Sequence, residues 1–142
     1  DRGAETSGQK QEESKPKISF SGSVEPSTTN KGDKDVITIE VENLDDTKTI
    51  DGMRILFANE DFIKKGLVIT NVMSGGTQEG RAFEWTNTLM QIKPKEKRFF
   101  TIVANANQPG NYESVVTLIN PTGKIAFDDQ DQELKAKLIV LP

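Results

Sequence analysis

Between Lys34 and Leu44 the chain reads KDVITIEVENL, and Ile37, Ile39 and Val41 alternate with Thr38, Glu40 and Glu42. Successive side chains of an extended strand point to opposite faces, so this run is a strand with one dry face and one wet face. A slip of one residue would turn all three aliphatic side chains to water, which fixes the register. The same signature recurs along the chain with turn residues between the runs. Such a chain must pair its strands into sheets and pack the dry faces together.

Ile18, Phe20 and Val24 mark a first strand that Pro26 and Ser27 end, and Asn30 to Asp33 make a turn before the central run. After the loop Asp45 to Lys48, a strand carries Asp51, Met53, Ile55 and Phe57 in alternation. Asn59 to Lys65 predicts one helical turn, with Asn59 as its cap and Gly66 as its stop. Leu67 to Val72 is a short strand. Ser74 to Gly80 (SGGTQEG) reads as a hairpin connection, because it lacks the Lys-Ser/Thr ending of a phosphate-binding loop. Phe83 and Trp85 lie on the strand that follows. Lys93 to Lys97 is a turn, Arg98 to Ala106 a long strand, and Tyr112 to Ile119 the next. Asn120 to Gly123 turns again. In the last strand, Leu134 to Leu141, the side chains of Leu134, Ala136, Leu138 and Val140 share one face. Lys135 and Lys137 on the other face discourage edge-to-edge pairing.

About seven to eight strands spaced roughly 8–12 residues apart, with no long helix, predict an all-β, two-sheet antiparallel β-sandwich over residues 17–142. Its expected core is Ile37, Ile39, Val41, Met53, Ile55, Phe57, Trp85, Tyr112, Leu134, Leu138 and Val140. Residues 1–16 contain no large apolar side chain, and such a segment does not bury enough surface to offset its ordering entropy. The expectation there is a disordered tail or tether, with a frayed terminus of no role as the alternative.

The 142 residues suffice for one such domain. With no cysteine and no histidine, disulfides, thiolate sites, imidazole bases and the commonest zinc ligands are excluded. The formal net charge of -4 opposes nonspecific nucleic-acid binding. No apolar run approaches the roughly 20 residues of a membrane span. The chain starts with Asp1 rather than Met, which reads as a processed product or an excised piece; the parent is then free to carry a signal, a lipid anchor or a membrane span upstream.

Several pieces fall in a familiar order. Gly32-Asp33 followed by Val36 to Asn43 (VITIEVEN) resembles the opening "GD-x-V-x-Y-x-I-x-V-x-N" of a conserved immunoglobulin-like repeat of bacterial and archaeal envelope proteins. Phe83-Glu84-Trp85 with Leu89 and Ile92 resembles that family's W-x…L strand. Pro94 to Glu96 resembles its "x-P-G-E" turn, with Lys95 in place of Gly, before Phe99 to Ala104 (FFTIVA). Pro109-Gly110-Asn111-Tyr112 resembles its "x-x-G-x-Y" strand start. The resemblance covers roughly Gly32 to Ile119 and departs from the family at Asn59 to Gly66. It implies an immunoglobulin-like sandwich at the cell surface, with adhesion among the possible roles, and no catalytic residues. Tyr112 also suits a tyrosine corner, with its ring inside and its hydroxyl on nearby backbone; Ser114 stands where antibody domains place a cysteine.

The sharpest chemical feature is the acidic loop Asp128, Asp129, Asp131 and Glu133. In a sandwich of this type it lies at the same end as Asp45-Asp46. Five carboxylates (Asp45, Asp46, Asp128, Asp129 and Asp131) at one pole have two readings: a weak calcium site, which would supply the only cofactor, or a solvated acidic surface. Glycosidic cleavage could draw on Glu79, Glu84 and Asp128, though nothing in the sequence singles them out. The basic cluster Lys93, Lys95, Lys97 and Arg98 is interrupted by Glu96 and reads as a solvated turn. Sugar rings stack on exposed aromatic faces, and Phe127 is the best candidate for one; a buried anchor is its other reading. The sequence therefore predicts a non-catalytic Ig-like interaction or spacer module of a bacterial or archaeal cell-envelope or secreted protein. Its expected place is extracellular or on the cell surface, or else periplasmic. The alternative is a carbohydrate-binding module attached to a secreted enzyme. Expected partners are neighbouring domains of the parent, another envelope protein, or polysaccharide; the domain itself is expected to be monomeric.

Overall fold

A computed structural model describes residues 14–130 and 132–142. Among the described residues ten strands occur in chain order: β1 (Ile18–Glu25), β2 (Thr28–Asn30), β3 (Lys34–Asn43), β4 (Met53–Phe57), β5 (Leu67–Val72), β6 (Thr77–Glu79), β7 (Ala82–Trp85), β8 (Lys97–Ala106), β9 (Gly110–Ile119) and β10 (Glu133–Leu141). They form a four-stranded sheet ordered β1-β3-β8-β5 and a six-stranded sheet ordered β2-β10-β9-β4-β7-β6. The result is an immunoglobulin-like β-sandwich. Every pairing is antiparallel except the short one between β2 and β10, which is parallel. The two strands beyond the eight read from the sequence, β2 and β6, have one cause in common. β2 and β6 are three residues each, too short to show a period of two.

β3 holds the middle of the smaller sheet, with Ile37 opposite Ile102 and Ile39 opposite Phe100. Their side chains meet those of Met53, Ile55, Phe57, Phe83, Trp85, Val116 and Leu138 from the larger sheet in one continuous core. Trp85 packs against Phe100 across the sandwich, ring centroids 5.1 Å apart and planes inclined at 59°. Tyr112 and Leu134 are only half-buried, packed against the core rather than within it. Tyr112 sits at the rim because its hydroxyl donates to the Gln108 carbonyl at 2.8 Å, which is the corner its position suggested. Its ring lies over Gly66, where a Cβ would come within 2.9 Å of Tyr112 Cδ2. Gly66 thus closes the helical turn Phe62–Gly66 and lets it sit against β9. Asp61, not Asn59, stands at the cap position of that turn; Asn59 shapes the approach to it, its Oδ1 accepting the Asp61 N–H at 3.1 Å.

Ser74 to Gly80 is not a hairpin connection. It carries the chain from β5 in one sheet to β6 in the other, and the hairpin follows at Gly80-Arg81. Glycines permit a turn but do not specify which sheet the chain enters next. In the Lys93–Lys97 turn Lys95 has φ 63°, the left-handed conformation that the glycine of the resembling turns adopts freely. At the N-terminus, the described residues Ser14 to Lys17 are bonded to the sandwich. Pro16 is buried, and its carbonyl accepts the Asp128 N–H at 2.8 Å; the Lys17 carbonyl accepts the Leu44 N–H at 2.9 Å. Of the tail expected over residues 1–16, residues 14–16 therefore lie against the sandwich, and residues 1–13 lie outside the described residues. Among the described residues no helix is long and apolar enough to cross a membrane.

Candidate functional site

The loops after β3 and before β10 do lie at one pole, joined through Pro16 and Lys17, which run between them. Their carboxylates are engaged separately. Asp45 Oδ2 accepts the backbone N–H groups of Thr47 at 3.0 Å and Lys48 at 2.7 Å, and these bonds hold its carboxyl below the usual range. Asp46 pairs with Lys95 at 3.3 Å. Asp128 pairs with Lys17 at 2.8 Å and accepts the Gln130 N–H at 3.2 Å, and these two contacts lower its pKa. Asp129 Oδ2 accepts the Asn120 N–H at 3.4 Å. Asp131 lies outside the described residues. Among the described residues no three acidic side chains gather as a metal ion requires. Repulsion at this pole is relieved by lysines and backbone N–H groups. Thermal unfolding in millimolar calcium and in chelator should therefore give the same midpoint, since only a ligand of the native state raises it. A calcium-dependent rise that Asp128→Asn abolishes would instead assign this pole to a metal site.

Of the carboxylates considered for hydrolysis, Asp128 is apart from the other two, which share one guanidinium. Glu79 and Glu84 both bind Arg54, at 2.8 and 3.0 Å, on the face of the larger sheet. Partial burial works against the Glu84 charge, but hydrogen bonds from the Thr122 N–H and from Arg54 hold its carboxyl below the usual range. A general acid needs the opposite shift. Asp128 is at the pole with Lys17, in a different environment. The basic turn is similarly engaged, with Lys97 on Glu40 at 3.3 Å and Arg98 on Glu96 at 3.6 Å.

Neither Phe127, the candidate for sugar stacking, nor the core residue Trp85 is open. Trp85 is 1% exposed and donates its indole N–H to the Met73 carbonyl at 2.8 Å. Phe127 is also 1% exposed, an anchor beneath the loop that Asn120 organises by accepting the N–H groups of Ala126 and Phe127.

Two buried polar residues carry weight that the sequence reading did not give them. Asp35 and Asn43 begin and end the dry face of β3, in parity with Ile37, Ile39 and Val41. Asn43 Nδ2 donates to the carbonyls of Lys48 at 2.8 Å and Ile92 at 3.0 Å, and its Oδ1 accepts the Asp45 N–H at 2.9 Å. Asp35 is fully buried; Oδ1 accepts the Val36 N–H at 2.8 Å, and Oδ2 has no partner. Burial, opposed by that hydrogen bond and aided by the nearby Glu25 charge, raises its pKa from 3.8 to about 6. The native state then holds this proton more tightly than the unfolded chain does. The resulting penalty is complete above about pH 6 and disappears as pH falls below the unfolded value of 3.8. Between pH 4 and 7 the wild type should lose roughly 2–3 kcal/mol relative to Asp35→Asn. Denaturant midpoints across that range check this; parallel profiles for the two proteins would place the titration elsewhere.

Besides an open hollow of about 850 Å³ at the acidic pole, lined by Lys15, Lys17, Asn120, Asp128 and Asp129, there is a cleft of about 220 Å³ where β1 and β10 face each other at the open side of the sandwich. Val24, Ile37, Ile39, Val116, Leu134 and Ala136 make its apolar wall, and Lys135 and Lys137 are its charged residues. It is smaller than the roughly 300–1,000 Å³ of small-molecule sites.

No protein-family model matches the sequence, and no curated protein does either. Solved structures match in fold. The CARDB domain of a Pyrococcus furiosus protein, solved in complex with di-metal ions, aligns at 14% identity and TM-score 0.55, covering 92% of this chain and 98% of that domain. A non-cellulosomal cohesin from the archaeon Archaeoglobus fulgidus aligns at 12% identity and TM-score 0.52, covering 89% of this chain and 92% of that one. At these identities the likeness shows the Ig-like sandwich, over nearly the full length of both chains.

Proposed function

We propose that this chain is a non-catalytic interaction or spacer module of a bacterial or archaeal cell-envelope or secreted protein, placed outside the cell, on its surface or in the periplasm. It docks on a neighbouring domain of its parent or on another envelope protein. The observation that carries this reading is the burial of Trp85 and Phe127 in a sandwich whose charged side chains are largely paired with one another. The resemblance of Gly32 to Ile119 to envelope repeats and the likeness to CARDB and cohesin domains support it. Affinity electrophoresis through gels containing soluble polysaccharides tests it against the carbohydrate-binding alternative. The expected result is unchanged mobility in every gel. Retardation that free oligosaccharide reverses would overturn the reading in favour of a sugar-binding module.

A further inference from the structure

Among the described residues four strand edges end the two sheets, and three of them are blunted. β6 is three residues long. β5 carries a bulge between Ile69 and Asn71. The outer edge of the larger sheet is the three-residue β2 over Ile139 to Leu141, with exposed Lys135 and Lys137 on β10 below it. Short strands, bulges and lysines keep a sheet from adding further strands. β1 has none of them. It is eight residues long, contains no Lys, Arg or Pro, and pairs only with β3. Its backbone points outward at alternate residues. The Lys17 carbonyl accepts the Leu44 N–H, so Lys17 and the residues in parity with it, Ser19, Ser21, Ser23 and Glu25, direct their N–H and C=O groups to β3. Ile18, Phe20, Gly22 and Val24 direct theirs to the free edge. These same positions face the larger sheet: Ile18 and Val24 are buried, Phe20 is half-buried, and a Cβ on Gly22 would come within 3.1 Å of Leu134 Cδ2. Gly22 leaves a gap in that row, and the apolar cleft opens beside it.

We propose that the free edge of β1 pairs with β1 of a second copy of this chain, antiparallel about a two-fold axis through Ser21. This names a partner for the interaction-module reading, rests on it, and replaces the monomer that the sequence suggested. An antiparallel pair must match outward-pointing residues with outward-pointing residues, so the allowed registers differ by steps of two. In the register through Ser21, Ile18 pairs with the partner's Val24 and Phe20 with the partner's Gly22, each pair exchanging two backbone hydrogen bonds. Phe20 of each copy then lies across the partner's Gly22 and covers the mouth of its cleft, whose wall of Val24, Ile39, Leu134 and Ala136 is aliphatic. An aromatic ring set across a strand pair from glycine shields the bare backbone there. On the other face, Ser19 meets the partner's Ser23, the two Ser21 side chains meet on the axis, and Lys17 meets the partner's Glu25. Lys17 is exposed beside Asp128, and Glu25 is exposed with no ion-pair partner among the described residues. The pairing gives Glu25 one, at both ends of the joint. A shift of two residues one way sets Phe20 against Phe20 and Lys17 against Ser23. A shift the other way sets Gly22 against Gly22 and Glu25 against Ser19. Lys135 and Lys137 alternate with the buried Ala136 and Leu138, so they point away from the smaller sheet and stay out of the joint.

The test uses the full chain. Sedimentation equilibrium over a micromolar to millimolar series should show a reversible approach to twice the monomer mass. In the dilute chain the amides of Ser19, Ser21 and Ser23, which bond to β3, should exchange slowly and those of Phe20, Gly22 and Val24 quickly. Where the dimer dominates, the latter three should slow by about tenfold or more. Ser21→Lys sets two lysines face to face on the axis and should weaken the dimer by about fivefold, with the unfolding midpoint of the dilute chain preserved. The chain has no cysteine, so Ser21→Cys reads the register. A non-hydrogen-bonded antiparallel pair holds its Cα atoms about 4.5 Å apart, within reach of a disulfide, and this variant should oxidise to a covalent dimer. Ser19→Cys and Ser23→Cys should cross-link poorly alone and readily when mixed. A chain that stays monomeric throughout, a dimer that leaves the Phe20, Gly22 and Val24 amides open, an affinity unmoved by Ser21→Lys, or cross-linking no better through Ser21→Cys than through Ser19→Cys alone would overturn the proposal. None of these results would produce retardation by polysaccharide, so failure here is distinct from failure of the interaction-module reading.

Discussion

Trp85→Ala is expected to cost about 3–5 kcal/mol of folding stability, the range for removing a buried aromatic side chain. The indole is 1% exposed, packs on Phe100 of the opposite sheet, and holds the Met73 carbonyl where the chain leaves β5. Its removal opens a cavity between the sheets and frees the crossing between them together. Trp85→Phe separates the two contributions: it keeps most of the ring volume, loses the indole N–H and should cost about 1–2 kcal/mol. Urea midpoints at constant slope measure both. A loss below about 1 kcal/mol for the alanine variant would mean that Trp85 does not bridge the sheets.

The second large effect is at Asn43. Its side chain ties the end of β3 to the loop before β4 and to Ile92 through three hydrogen bonds, in a site with no solvent exposure. Asn43→Ala removes one hydrogen bond from each of the Lys48 and Ile92 carbonyls and from the Asp45 N–H, and should cost about 2–4 kcal/mol. Asn43→Asp is the sharper test. It preserves shape but replaces the donor that serves two carbonyls with an oxygen. At pH 7 it should cost at least as much as the alanine variant, by roughly 3 kcal/mol or more. A mild effect of Asp beside a severe effect of Ala would assign Asn43 to packing.

Most of the strand order was legible, because β3, β8, β9 and β10 are long enough to repeat their alternation. β2 and β6 escaped because three residues hold no pattern. The sandwich end that gathers Asp45 and Asp128 was also legible. The charge balance there was not, because Asp128 meets Lys17 across a separation of 111 residues. Asp35 and Asn43 had a readable signal. Extending the parity of Ile37, Ile39 and Val41 by one step in each direction lands on both of them, so two polar residues on a dry face are predicted to be buried. The free edge of β1 needed the structure, since nothing local in ISFSGSVE tells which strand ends a sheet.

The central claim, that this sandwich works as a module outside the cell, is tested most directly by an antibody raised against the folded chain and applied to intact cells producing the full-length parent. An antibody is too large to enter an unbroken cell, so labelling reports exposure. The account predicts labelling of intact cells, or, for a periplasmic module, labelling once the outer barrier alone is opened. Labelling that appears only after the cytoplasmic membrane is breached would contradict it.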